Sequence, residues 1–177
     1  MDRRNLLYMG AAAAAGLAGA GAAWLKYEPQ ELSQGQTNAA QDALWAMNFD
    51  TPDGQPQPMS SFRGKPLLLN FWATWCPPCV EELPLLDAFY QEQKAKGWQV
   101  LGLAVDQPSA VRKWLQAKPL SFAVGMAGLN GTELSKSLGN LAGSLPFTAV
   151  FGASGVLLHR KTGKVLKEEL VQWSQLK

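Results

Sequence analysis

Metal-binding side chains are scarce in this chain: 177 residues include two cysteines and one histidine. A structural zinc site takes about four nitrogen or sulfur ligands, so Cys76, Cys79 and the distant His159 do not complete one, and no metal is expected. An excess of either charge is also missing. Sixteen basic against fourteen acidic residues give a formal charge of +2, without a long run of one sign, which argues against a nucleic-acid partner. No internal repeat is present. What the chain has instead is apolar bulk: 47% hydrophobic residues, with seven tryptophans, are enough for the core of one domain and exclude a disordered or fibrous chain.

The N-terminus departs from the rest. Asp2, Arg3 and Arg4 precede residues 5–25, which carry no charge and are mostly Ala, Gly and Leu, the layout of an export segment. About 20 residues rising about 1.5 Å each match a hydrocarbon core of about 30 Å, yet so much Ala and Gly makes the stretch only weakly apolar. "DRRNLLY" resembles the twin-arginine export signal, and Ala18, Ala20 and Ala22 offer A-x-A cleavage sites. Residues 1–27 therefore read as a signal peptide or a retained membrane anchor, with membrane contact through residues 5–25 and a periplasmic destination. Residues 28–42, "EPQELSQGQTNAAQD", are polar and aperiodic and read as a flexible tether, so that the folded domain spans 43–177.

Within that domain, strand-like and helix-like segments alternate. Residues 43–49 read as a strand, followed by the turn-rich "DTPDGQPQP", and 66–72 as a strand buried on both faces. Residues 77–96 read as a helix with Pro77 and Pro78 in its first turn, Glu81 and Glu82 complementing its positive end, and Pro84 kinking it. A buried strand at 98–105, a helix at 107–116, a strand at 120–124 and a Thr132-capped helix at 133–138 follow. Two apolar runs, 147–151 and 156–160, flank the hairpin turn "GASG", and Leu166, Leu170, Trp173 and Leu176 stripe a final helix. This order implies an α/β fold with a mixed central sheet flanked by helices.

Both cysteines lie in "FWATWCPPCVEELP". A structural clasp is a poor reading, because closing so short a loop is worth only about 2 kcal/mol. A redox reading uses every neighbouring feature. The strand delivers Cys76 to the carboxyl edge of the sheet, and the helix that begins there aims its positive end at the sulfur, favouring the attacking thiolate. Cys79, one turn on, is placed to resolve a mixed disulfide.

With these elements located, the chain resembles the thioredoxin fold and, more narrowly, the TlpA/ResA group of exported, often membrane-tethered thiol:disulfide oxidoreductases, which includes proteins of cytochrome c maturation. The resemblance covers about three quarters of the chain, residues 43–177, with an N-terminal strand extension, and is most specific at "LNFWATWCPPCVEELP". It implies Cys76 as the exposed nucleophile, Cys79 as the resolving cysteine, Pro84 at the helix kink and Leu145-Pro146 as a cis-proline turn facing the disulfide. Glu82 falls where the group carries an active-site carboxylate, and Asn70 where thioredoxin itself has a buried aspartate. Partly desolvated near the disulfide, the Glu82 carboxyl would have a raised pKa and could exchange a proton with Cys79. Trp75, Pro77, Pro78, Leu145 and Pro146 are then the substrate-binding set, while Trp72 reads as core and His159 as a surface residue. The group often has threonine after the cis-proline and an acidic hairpin turn; here Phe147 and "GASG" stand there.

The implied activity is thiol:disulfide exchange without a cofactor beyond the Cys76–Cys79 pair. Its partners would be protein disulfides or dithiols, among them apocytochrome or copper-site proteins, supplied with electrons by a membrane donor. The competing reading is a thioredoxin-fold adaptor or copper chaperone that uses the thiols as ligands. A peroxidase is disfavoured, since Thr74 lies two residues before Cys76, which is not a peroxidatic spacing.

Overall fold

The run "LLLNFW" becomes strand β3 (Leu67–Trp72), the centre of the computed structural model, which describes residues 34–176. All six of its residues are buried. The chain order is α1 (Gln34–Trp45), β1 (Asn48–Asp50), β2 (Pro56–Pro58), a 3-10 turn (Met59–Phe62), β3, α2 (Pro77–Gln93), β4 (Gln99–Ala104), α3 (Pro108–Ala117), β5 (Ala123–Met126), α4 (Gly131–Ser137), β6 (Phe147–Phe151), β7 (Leu157–Thr162) and α5 (Lys167–Trp173). The strands form one seven-stranded sheet in the order β2-β1-β5-β4-β3-β6-β7. Strands β3, β4 and β5 run parallel, joined by helical crossovers, and the remaining pairs are antiparallel. This is the mixed sheet that the element order implied, in the thioredoxin-like form that the resemblance implied.

Alternation along β3 splits the core in two. Leu67, Leu69 and Phe71 join Leu44, Trp45, Met59, Phe62 and Leu138 on one face. Leu68 and Trp72 join Leu83, Leu86, Trp98, Val111, Leu170 and Trp173 on the other. Asn70, in register between Leu68 and Trp72, therefore shares the α2 face. Gly102 of β4 lies beside Trp72, where an added Cβ would come within 3.0 Å of the indole nitrogen. Glycine at this position thus leaves room for the Trp72 indole beside β4.

The structure corrects several boundaries. Residues 34–42 are not tether but most of α1, and the domain begins before Ala43. The reason lies at the helix end, where Leu44 and Trp45 are buried against β6 and the hairpin turn. Trp45 stacks edge-on against Phe151 at 5.4 Å and donates its indole N–H to the Gly155 carbonyl at 2.9 Å. Gln41 accepts the Leu157 N–H at 2.6 Å, so a weakly apolar segment is ordered by tertiary contacts that no local pattern reveals. Residues 43–45, read as strand, accordingly end this helix, and of that stretch only Asn48 and Phe49 pair, in β1.

Other differences are smaller. The turn-rich segment contributes an edge strand, Pro56–Pro58. The strand expected at 120–124 is Ala123–Met126, and the helix expected at 133–138 starts at Gly131 without a side-chain cap from Thr132. The second hairpin strand begins at Leu157, one residue late, and runs on to Thr162. Leu166, assigned to the inward stripe of the last helix, precedes α5 and is exposed, whereas Leu170 and Trp173 are buried. Signal and anchor assignments for residues 1–27, and the rest of the tether, lie outside the described residues. Among the described residues no helix is long and apolar enough to cross a membrane.

If α1 is part of the domain, Trp45→Ala is expected to destabilise it by about 3–5 kcal/mol, the usual cost of emptying a large aromatic site. Equilibrium denaturation would measure this, and a loss below about 1 kcal/mol would return α1 to the status of a tether.

Candidate active site

Beyond Trp72 the chain leaves the sheet edge through Ala73, Thr74 and Trp75. The Asp106 carboxylate, just past β4, holds this loop by accepting the Thr74 backbone N–H at 2.8 Å and its hydroxyl at 2.6 Å. The other Asp106 oxygen accepts the Gln107 N–H at 2.7 Å, so one side chain ties the ends of two parallel strands together. Cys76 then caps α2 in an extended conformation, with Pro77 and Pro78 filling the first helical positions. Pro77 and Pro78 are exposed, as suits residues whose missing N–H groups cost a helix start nothing.

Cys76 and Cys79 are joined by a 2.05 Å disulfide with Cα atoms 5.3 Å apart. Their exposures differ in the sense that matters for attack. Cys76 keeps 5% of its surface and Cys79 none. Cys76 is thus less open than the expected exposed nucleophile, because Trp75 and the prolines surround it. Its opening faces a cleft of about 400 Å³ lined by Trp75, Cys76, Pro77, Pro78, Thr132 and Leu145, and closed by Val105, Gly143 and Ser144. Trp75 is 66% exposed at the rim, whereas Trp72 is fully buried.

Of the substrate-binding set, Trp75, Pro77, Pro78 and Leu145 meet at this cleft; Pro146 is buried behind Leu145 and does not line it. The Leu145-Pro146 peptide bond is cis, and the Pro146 carbonyl accepts the Gly163 N–H at 2.9 Å. Val105, Thr132, Gly143 and Ser144 were missed in the sequence because nothing local distinguishes a cleft wall from an ordinary loop. Asp106 offered a signal, since an acid just after a buried strand stands at the edge where Cys76 arrives. His159 is exposed and stacks on Trp173 with ring centres 6.4 Å apart, away from the cleft residues.

Glu82 lies one helical turn beyond Cys79 and is fully buried. Neither it nor Glu81 falls in the first turn of α2, so the expected helix-end complement is not what they provide. Glu81 reaches outward to Lys164 at 2.9 Å. Glu82 turns inward, where Oε1 accepts from Asn70 Nδ2 at 2.8 Å and Oε2 accepts the Val165 N–H at 2.7 Å. Burial pushes its pKa up from 4.5 to about 7, opposed by these two hydrogen bonds and by the charge of Lys164. The carboxyl is therefore balanced between its two forms near neutral pH, as proton transfer requires. Residues 163–166 tie the site together, since Gly163 bonds to Pro146 and Val165 to Glu82.

Among the described residues no three His, Cys, Asp or Glu side chains converge as a metal site. The geometry is that of a dithiol–disulfide couple with one accessible sulfur. The sequence profile of the Redoxin family matches residues 38–173. The chain belongs to the Redoxin family. Within it, a relative named Thiol-disulfide oxidoreductase ResA, from Bacillus thuringiensis subsp. konkukian, is 31% identical over 131 residues, covering 72% of this chain and 73% of the relative. The solved thioredoxin-related protein of Neisseria meningitidis serogroup B is 30% identical with a TM-score of 0.64, covering 72% of this chain and 96% of that one. A thiol:disulfide interchange protein of the thioredoxin family from Chlorobium tepidum is 28% identical with a TM-score of 0.63, covering 73% and 90%. This redoxin is a thiol:disulfide oxidoreductase of thioredoxin fold with Cys76 and Cys79 as its redox pair, and its substrates are disulfides or dithiols.

Proposed function

We propose that the protein is an exported reductant of protein disulfides. One observation carries the chemistry: the disulfide presents Cys76 to a cleft while Cys79 is sealed, with a buried carboxyl one turn further on. In the reduced protein the Cys76 thiolate attacks a partner disulfide, forming a mixed disulfide and releasing one partner thiolate. Cys79 gives its proton to the Glu82 carboxylate, and its thiolate attacks Cys76 Sγ, releasing the second partner thiolate. The partner gains two electrons, and Cys76–Cys79 closes.

The reducing direction rests on the start of α2. Pro77 and Pro78 have no N–H, which removes two of the four donors that a helix end offers, and Val80 donates its own to the Cys76 carbonyl at 3.2 Å. A Cys76 thiolate thus gains few direct hydrogen bonds, the reduced form is not specially stabilised, and the dithiol gives up its electrons readily. Equilibration with a glutathione buffer is expected to place the potential nearer about −270 mV than about −120 mV; a value at the oxidising end would overturn the direction while leaving the chemistry intact.

Export rests on the paired arginines and the charge-free residues 5–25, which act as a twin-arginine signal or anchor placing the domain in the periplasm. An oxidising compartment would hold the pair closed, so a membrane electron donor recharges it. Its partners are exported proteins whose cysteines must be reduced before a cofactor is inserted, apocytochromes or copper-site proteins.

A further inference from the structure

We propose that Asn70 is a positioning residue serving both protonation states of Glu82, its side-chain amide turning over as the carboxyl gains or loses its proton. The inference rests on the reading of Glu82 as the proton carrier for Cys79 and adds the device that lets a buried carboxyl do this without loosening the core.

Asn70 sits in the middle of β3, fully buried, with Gly102 of β4 on one side and Thr148 of β6 on the other in the sheet register. Its Nδ2 donates to Glu82 Oε1 at 2.8 Å and to Thr148 Oγ1 at 3.0 Å. Its Oδ1 is buried without a hydrogen-bond partner. Glu82 Oε2 takes the Val165 N–H, so both carboxyl oxygens face donors. That arrangement suits a carboxylate, which only accepts. A protonated carboxyl needs an acceptor for its O–H, and the Val165 amide cannot be one. The partnerless oxygen of Asn70 can.

Rotation of the amide by half a turn exchanges its oxygen and nitrogen with no movement of β3. Oδ1 then accepts from the Glu82 O–H and from the Thr148 hydroxyl, which can donate as well as accept. Each orientation leaves one amide atom unsatisfied, so neither is favoured by Asn70 alone and the proton on Glu82 decides between them. Aspartate at this position would only accept, and leucine would do neither. The charged groups around the carboxyl are Lys164 after β7, which Glu81 of α2 holds, and Glu169 of α5, which Lys161 of β7 holds at 2.7 Å. From the sheet side the residues facing it, Asn70 and Thr148, are neutral.

Nuclear magnetic resonance on the isotope-labelled oxidised protein tests this. Between pH 5 and 9 the Glu82 carboxyl carbon and the Asn70 side-chain amide nitrogen and protons are expected to shift together with one midpoint. In Asn70→Leu the carboxylate loses a donor, so the Glu82 midpoint and the matching limb of the exchange pH profile are expected to rise by about one pH unit. A purely structural Asn70 would change stability but neither midpoint. Asn70 amide signals that stay still while Glu82 titrates overturn the proposal and leave the proton carrier standing. A Glu82 carboxyl that does not titrate in this range overturns both. Should Asn70→Leu fail to fold, the wild-type titration decides alone.

Discussion

Cys76→Ser is expected to lower the rate of disulfide reduction roughly 10³-fold or more, to the level of solution thiols. Only a sulfur that faces the cleft can be reached by a partner disulfide, and Cys76 alone has exposed surface. A serine hydroxyl keeps the volume but supplies no thiolate near neutral pH, so the attack that opens the sequence is removed. Cys79→Ser should behave differently: the first exchange remains, and turnover stops at the mixed disulfide. Stopped-flow reduction of a chromogenic disulfide separates the two, because Cys79→Ser keeps a single-turnover phase that Cys76→Ser lacks. A single-turnover phase kept by Cys76→Ser and lost in Cys79→Ser would mean that Cys79 is the attacking group and that the order of steps is reversed.

Glu82→Gln has the second large consequence, and it shows in two measurements. Exchange near pH 7 is expected to slow about 10²-fold, since a positioned acid–base group contributes at least that much, and the limb of the pH profile near 7 should disappear. Stability moves the other way. The carboxyl pKa rises from 4.5 to about 7 on folding, so between those values the folded protein holds a proton that the unfolded chain has released. The group is favourable below the lower value, and that contribution is lost as pH rises through the upper one, by about 3 kcal/mol in all. Denaturation of wild type and variant from pH 4.5 to 8 should show wild type losing about 3 kcal/mol relative to Glu82→Gln across that window. A constant difference would place the carboxyl in water and remove it from proton transfer.

How much of this was legible beforehand follows from how local each signal is. The strand ending at Cys76, the two prolines and the second cysteine are contiguous, so residues 71–84 disclosed the redox pair directly. Glu82 and its desolvation were recognisable from its place in that stretch, but its partners were not, because Val165 and Lys164 arrive from 83 and 82 residues further along the chain. Asn70 showed as the residue standing where thioredoxin has a buried aspartate; its hydrogen bonding depends on Thr148 across the sheet. Helix α1 was the largest misreading. Its polar composition describes its outer face correctly, and the contacts of Thr37, Gln41 and Trp45 with β6, β7 and the hairpin turn come from far along the chain. The cleft wall from Val105, Thr132 and Gly143 was unreadable for the same reason: two loops and the start of α4 contribute one or two residues each.

Trapping is the most direct test that Cys76 and Cys79 form an exchange couple. Cys79→Ser, produced in cells and recovered after acid quenching of free thiols, is expected to carry partner proteins in mixed disulfides through Cys76. Those adducts should be released by dithiothreitol and absent from Cys76→Ser. Recovery of Cys79→Ser with Cys76 free and no adducts, matching wild type and Cys76→Ser, would contradict catalytic exchange at this site.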